Sequence, residues 1–242
     1  MSARAEIFRT PDLAEAQAQT VAGTRATQAE GSKNWDPSAF AHEQIRRLVR
    51  QVFFSNGALP AKQIVICSAG SRAADVADIC EQAGRALAAE TSASVAVVGS
   101  SFRAARHNSP AALPVGLARD RVMNLRQASV QVANNLWLVP DIALVDSSAQ
   151  CSSGISWQTR LSEVRREFDY SILAAPSAAT SSEAALMGHL ADGIILVVEA
   201  HSTRRASARQ IMEIFEAARV CVLGTVLSAR TFPVPEWIYQ RL

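Results

Sequence analysis

The sequence predicts an α/β domain with a mainly parallel central sheet and helices on both faces. Three observations lead there. Short, almost wholly apolar runs (Ile64–Cys67, Val95–Val98, Leu136–Val139, Ile194–Val198) read as strands buried on both sides, since a half-solvated sheet would alternate polar and apolar residues. Between the runs lie stretches whose apolar residues recur at helical spacing. The composition, 49% hydrophobic with only 6% aromatic and rich in alanine, suits helices packed on a sheet better than a sandwich. The number of such runs implies a sheet of about six or seven strands.

Taken in order, residues 1 to about 35 are rich in Ala, Gln, Thr and Glu. They have little apolar periodicity after Leu13, which predicts a flexible arm. Residues 36–242 then form a single domain. Asp36-Pro37 supplies an N-cap and a proline at the first helical position, and Ile45, Leu48, Val49 and Val52 give a helix over 37–53. Asn56-Gly57 and Pro60 end it. Ile64–Cys67 is a strand, and Val76, Ile79, Cys80, Ala83 and Leu87 form one helical stripe leading to the strand Val95–Val98. The stretch from about 102 to 133, with Pro110 and Pro114, reads as loop plus short helix. Leu136–Val139 is a strand, stopped by Pro140. Trp157, Leu161, Val164 and Phe168 mark a helix before the strand Tyr170–Ala174. Thr180 and Glu183 have capping-box spacing, opening a helix to about Leu190. After the strand Ile194–Val198, Ser202 or Thr203 starts a helix carrying Ile211, Ile214, Phe215 and Ala218. Val220–Leu227 is the last strand.

Composition also excludes. With 24 basic against 22 acidic residues there is no general electrostatic reason to expect nucleic acid. No run of about 18 apolar residues is present for a membrane span, and the start lacks the apolar core of a signal peptide. A cytoplasmic protein is expected, peripheral to a membrane only through a partner. Cys67, Cys80, Cys151 and Cys221 are scattered and read as small buried hydrophobes, with Cys67 and Cys221 in strands and Cys80 on a helix face. His42, His107, His189 and His201 are isolated, so no metal site is expected.

The stretch from Gln63 to Ser101 has the frame of a nucleotide-binding βαβ unit. Its turn reads Ser68-Ala69-Gly70-Ser71-Arg72-Ala73-Ala74-Asp75. Four further segments complete an ordered set: "VAVVGSSFR", "NNLWLVP", "FDYSILAAPSAAT" and "LADGIILVVEAHSTRRASARQIMEIFEAARVCVLGTVLSART". In that order, over about residues 38 to 232, the chain resembles the bacterial tyrosine kinase (capsular polysaccharide) branch of the MinD/ParA-like P-loop ATPases. The resemblance implies their P-loop NTPase-like fold.

The same alignment shows losses at each chemical position. Asp75 stands where the family has the lysine that bridges the β- and γ-phosphates, and Val76 where a hydroxyl holds Mg²⁺. The loop therefore retains Gly70, Ser71 and Arg72 without its cation, and no lysine follows Lys62. Gly99 and Ser101 replace the two aspartates of the second acidic motif, of which Arg103 alone survives. Ala174 replaces the aspartate of the third, and Ser228 the adenine-recognising asparagine. Two unit charges about 4 Å apart interact by about 4 kcal/mol at an effective dielectric near 20. Lysine to aspartate thus turns an attraction for polyphosphate into a comparable repulsion. Without carboxylates Mg²⁺ has few hard ligands. The expectation is loss of ATP and Mg²⁺ binding, hence no cofactor and no catalytic residues.

Three roles follow. The first is a catalytically inactive relative, regulating or scaffolding capsular or exopolysaccharide biosynthesis. The second is a nucleotide-binding kinase or ATPase with a non-standard site, using Arg72 and Arg103 as anion contacts. The third is a ParA/MinD-like positioning factor, disfavoured by near-neutral charge. The resemblance implies a protein partner: another copy, an active homologue, or a membrane chain-length regulator. Candidate contacts are Glu43, Arg46 and Arg50, which partly fit the family's E-x-x-R-x-x-R element, and the aromatic end around Trp237 and Tyr239. An ordinary solvated helix face and a core-capping tail are the plainer accounts of these two features.

Overall fold

The structure is a computed structural model that describes residues 37–54, 60–70, 73–99, 125–140, 154–200 and 202–229, with backbone only at 37, 73–75 and 154–156. All of them belong to one unit, Pro37–Phe232. The expected arm, Cys151, Ser71, Arg72, Ser101, Arg103, Trp237 and Tyr239 lie outside the described residues.

The elements are α1 (Pro37–Phe53), β1 (Gln63–Ser68), α2 (Ala73–Glu90), β2 (Val95–Val98), β3 (Val130–Ala133), β4 (Leu136–Val139), α3 (Gly154–Glu167), β5 (Tyr170–Ala174), α4 (Glu183–Leu190), β6 (Gly193–Glu199), α5 (Arg205–Ala217) and β7 (Val222–Ser228). The seven strands form one sheet in the order β3-β4-β2-β5-β1-β6-β7. All pairs are parallel except β3 with β4. The doubly covered α/β sheet expected from the apolar runs is the observed one.

Strand period sorts the apolar residues between two cores. Val65, Cys67, Ala96, Val98 and Leu173 face one side, where Leu161 and Val164 of α3, Met187 of α4, and Ile211 and Phe215 of α5 cover them. Ile64, Ile66, Val95, Val97 and Ile172 face the other, against Cys80, Ala83 and Leu87 of α2 and Val49 and Phe53 of α1. Each large side chain buried this way contributes about 1.5–3 kcal/mol. Tyr170 stacks edge-on against Phe53 at 5.6 Å, joining α1 to the start of β5.

Several local expectations are corrected. Within the stretch read as loop plus helix, residues 130–133 form β3, a short exposed strand that owes its existence to pairing with β4. Thr180 and Glu183 do not make a capping box. Residues 178–180 form a turn in which the Thr180 hydroxyl donates to Ser177 O (3.3 Å), and Ser181 Oγ accepts the Glu183 amide (3.1 Å). α4 therefore starts at Glu183. α5 starts at Arg205, because Thr203 spends its hydroxyl on the end of β6, accepting from Glu199 N–H at 3.0 Å. Ile214 is 44% exposed, leaving Ile211 and Phe215 as the anchors of α5. Cys221 precedes β7 and is exposed, while Cys67 and Cys80 are buried as expected.

Candidate functional site

Open parallel sheets place ligands at the carboxyl ends of their strands, near the point where strand order reverses. Here β1 lies between β5 and β6, in register through Ile66↔Ala174 and Ser68↔Val197. The loop leaving β1 is bound down on both sides. Ala69 N–H donates to Val197 O of β6 (2.8 Å), and Ser68 O accepts from Ala178 N–H (3.0 Å) and from the Ser177 hydroxyl (3.4 Å) beyond β5. Ser68 Oγ donates to Gly70 O at 2.7 Å and tightens the turn.

Gly70 is flanked by the last residue of β6, Glu199, and by Thr203 of the loop that follows. A Cβ placed on it would lie 3.9 Å from Glu199 Oε2 and 3.9 Å from Thr203 Oγ1. Glu199 and Thr203 hold each other in a closed turn, with Thr203 N–H donating to Glu199 O at 3.1 Å. A carboxylate therefore stands beside the single glycine of the loop. Sequence reasoning missed it. The signal was available, because Glu199 directly follows the apolar run Ile194–Val198 at the carboxyl end of a buried strand.

α2 begins at Ala73, which places Asp75 in its first turn. Val76 is 2% exposed and belongs to the core shared with α1. The position that would carry a metal-binding hydroxyl is thus a packed aliphatic one. Gly99 is buried at the end of β2 and donates to Val139 O (3.1 Å). Ala174 ends β5 and packs towards the α2 side of the sheet. Ser228 ends β7 opposite Glu199, and its carbonyl accepts from Ala200 N–H (2.9 Å). The fold brings Gly70, Gly99, Ala174 and Ser228 to one edge. Among the described residues no group of three His, Cys, Asp or Glu side chains suited to a metal exists.

The α1 candidates lie elsewhere. Arg46 pairs with Glu43 (3.2 Å), and both Arg46 (3.8 Å) and Arg50 (2.7 Å) reach Glu90 at the end of α2. The hydrogen bond that Arg50 donates to Glu90, together with the charge of that carboxylate, holds the Arg50 guanidinium above its usual pKa. Val49, at the third position of the element, is 1% exposed and faces the core. These charges tie α1 to α2 while leaving about half of each arginine side chain in solvent, 51% and 56% for Arg46 and Arg50. Among the described residues, no helix is long and apolar enough to cross a membrane.

No protein-family model matches the chain, and no curated protein matches it by sequence. Solved structures do match. The kinase domain of Escherichia coli tyrosine kinase ETK is 16% identical with a TM-score of 0.57, covering 88% of this chain and 88% of that one. The VpsO kinase domain is 12% identical with a TM-score of 0.57, covering 80% of this chain and 98% of that domain. The MinD cell division protein of Aquifex aeolicus is 16% identical with a TM-score of 0.51, covering 69% and 68%. The chain has the P-loop NTPase-type α/β fold found in bacterial tyrosine kinase domains and in MinD.

Proposed function

We propose that this chain is a catalytically silent relative of the bacterial tyrosine kinases, acting as a regulatory or scaffolding subunit in capsular or exopolysaccharide assembly. The observation that carries the reading is the chemistry at the carboxyl edge of the sheet. Glu199 stands beside Gly70, Asp75 occupies the first turn of α2, Val76 is core, and Ala174 closes β5. Asp75 stands where the family resemblance places a phosphate-binding lysine, which turns an attraction for polyphosphate into a repulsion of comparable size. The solved kinase domains support a kinase-like fold, the sequence resemblance implies the polysaccharide context, and a protein partner fits a fold retained without its chemistry.

The test is a thermal melt with millimolar ATP, with and without Mg²⁺, beside a phosphate-release assay. Saturation at about a hundred times the dissociation constant stabilises a protein by about 2.7 kcal/mol, which a melt resolves. No shift and no turnover are expected. Asp75→Lys alone should not restore either, since metal and phosphate contacts act as a unit. A Mg²⁺-dependent shift in the wild type would overturn the reading and favour a non-standard site built on Arg72 and Arg103.

A further inference from the structure

The opposite edge of the sheet carries a concavity. Lys62, Ser94 and Asp169 immediately precede β1, β2 and β5, three parallel strands, so all three lie at the amino edge, away from the Gly70 loop. With Arg126, Arg165, Arg166, Glu167 and Phe168 they line a cavity of about 530 Å³. Four cations face two carboxylates there.

The carboxylates are already engaged. Asp169 accepts from Ser94 N–H (2.9 Å) and the Ser94 hydroxyl (2.6 Å). Those bonds, and then the charges of Arg126 and Lys62, hold its carboxyl below the usual range. Glu167 accepts the Arg126 amide at 3.1 Å. Asp192, at the same edge, accepts Lys62 N–H and Gln63 N–H (2.8 Å each) and takes Arg165 at 2.8 Å.

The cations are less satisfied. Among the described residues neither Lys62 nor Arg166 closes an ion pair. Arg126 closes no salt bridge among the described residues, although Asp169 lies near enough to feel its charge. Its guanidinium lies 4.8 Å from the Trp137 ring centre and 5.1 Å from that of Phe168, and it donates through Nη2 (2.7 Å) and Nε (3.3 Å) to the Glu167 carbonyl. A stacked guanidinium is preorganised to donate to a phosphate, here through Nη1, since Nε and Nη2 already meet the Glu167 carbonyl. Its placement costs no further entropy on binding.

We propose that this amino-edge cavity binds a small phosphate-bearing anion, with Lys62, Arg126 and Arg166 as its contacts. The concave shape suits a soluble phosphate compound rather than a flat membrane surface. The proposal is independent of the nucleotide loop.

Calorimetric titration of the full chain with pyrophosphate at low salt tests it, since exposed charges act strongly only there. Binding is expected, weakened at least tenfold by Lys62→Ala with Arg166→Ala. It should be unchanged in Asp75→Asn, and unchanged in Arg205→Ala with Arg209→Ala, which removes two exposed cations from α5. Lys62→Gln alone, a milder change, should weaken binding by a few-fold and keeps the test usable if the double variant misfolds. Absence of binding, equal weakening in the α5 control, or retention on phosphatidic acid vesicles without pyrophosphate binding would each overturn the proposal.

Discussion

Gly84 offers the sharpest test of how α2 is seated, and α2 is the helix that opens the candidate site. A Cβ added at Gly84 would lie 2.2 Å from Val97 Cγ2 and 3.4 Å from Leu136 Cδ1. Carbon atoms pack comfortably at about 3.5–4.0 Å, so helix or strand must give by roughly 1.3 Å. Neither side has slack, since Val97 is 0% and Leu136 is 1% exposed. Overpacking of this kind costs about 1–3 kcal/mol. Against it stands the helix-propensity gain of alanine over glycine, about 1 kcal/mol. Gly84→Ala should therefore lose up to about 2 kcal/mol, or several degrees of Tm for a domain of this size. Gly224, in β7, is the control, because a Cβ there meets nothing within 4 Å. Gly224→Ala should be neutral or stabilising by up to about 1 kcal/mol, through the unfolded chain. Urea unfolding of both variants gives the two signs. A Gly84→Ala protein stabilised by the full helix-propensity gain, about 1 kcal/mol, would mean that α2 does not lie on β2 as described.

Three further outcomes are expected. Native protein should react with a thiol reagent at Cys221, whereas Cys67, whose thiol burial pushes up to about 12, and the still more deeply buried Cys80 should react only on unfolding; mass spectrometry of the labelled peptides checks this. Asp169 is held below its usual carboxylate range in the folded state, so its contribution is complete above the unfolded value near 3.8 and is lost as pH falls through the lower folded one. The decline of Tm on acidification below about pH 4 should be shallower in Ser94→Ala, which removes the main cause of the depression. Glu43→Ala with Arg46→Ala should weaken self-association or pairing with an active homologue in sedimentation experiments while barely moving Tm, since exposed ion pairs contribute about 0–1 kcal/mol. Identical sedimentation of wild type and variant would remove this face as a contact.

Much of the architecture was legible in the chain because its signals are local. Asp36-Pro37 and the 45-48-49-52 spacing mark α1 with the bounds observed, and the apolar runs at 95–98 and 136–139 are strands residue for residue. Substitutions at the motif positions were legible in the same way, as residue types in sequence order. Adjacency was not. β3 is four residues with a mostly exposed pattern, and only the β4 ladder makes it a strand. Thr203 and Ser181 carry capping chemistry, but each hydroxyl meets the amide of a near neighbour, Glu199 and Glu183, a choice that residue type alone left open. Glu199 came to stand beside Gly70 because β6 pairs with β1, although 129 positions separate the two residues along the chain. The amino-edge cavity gathers Lys62, Arg126 and Arg166 from three distant segments. Periodicity and capping are properties of a few consecutive residues, which is why the sequence alone determined the elements. Strand order and the meeting of charges depend on which segments become neighbours, and only the packed sheet decided that.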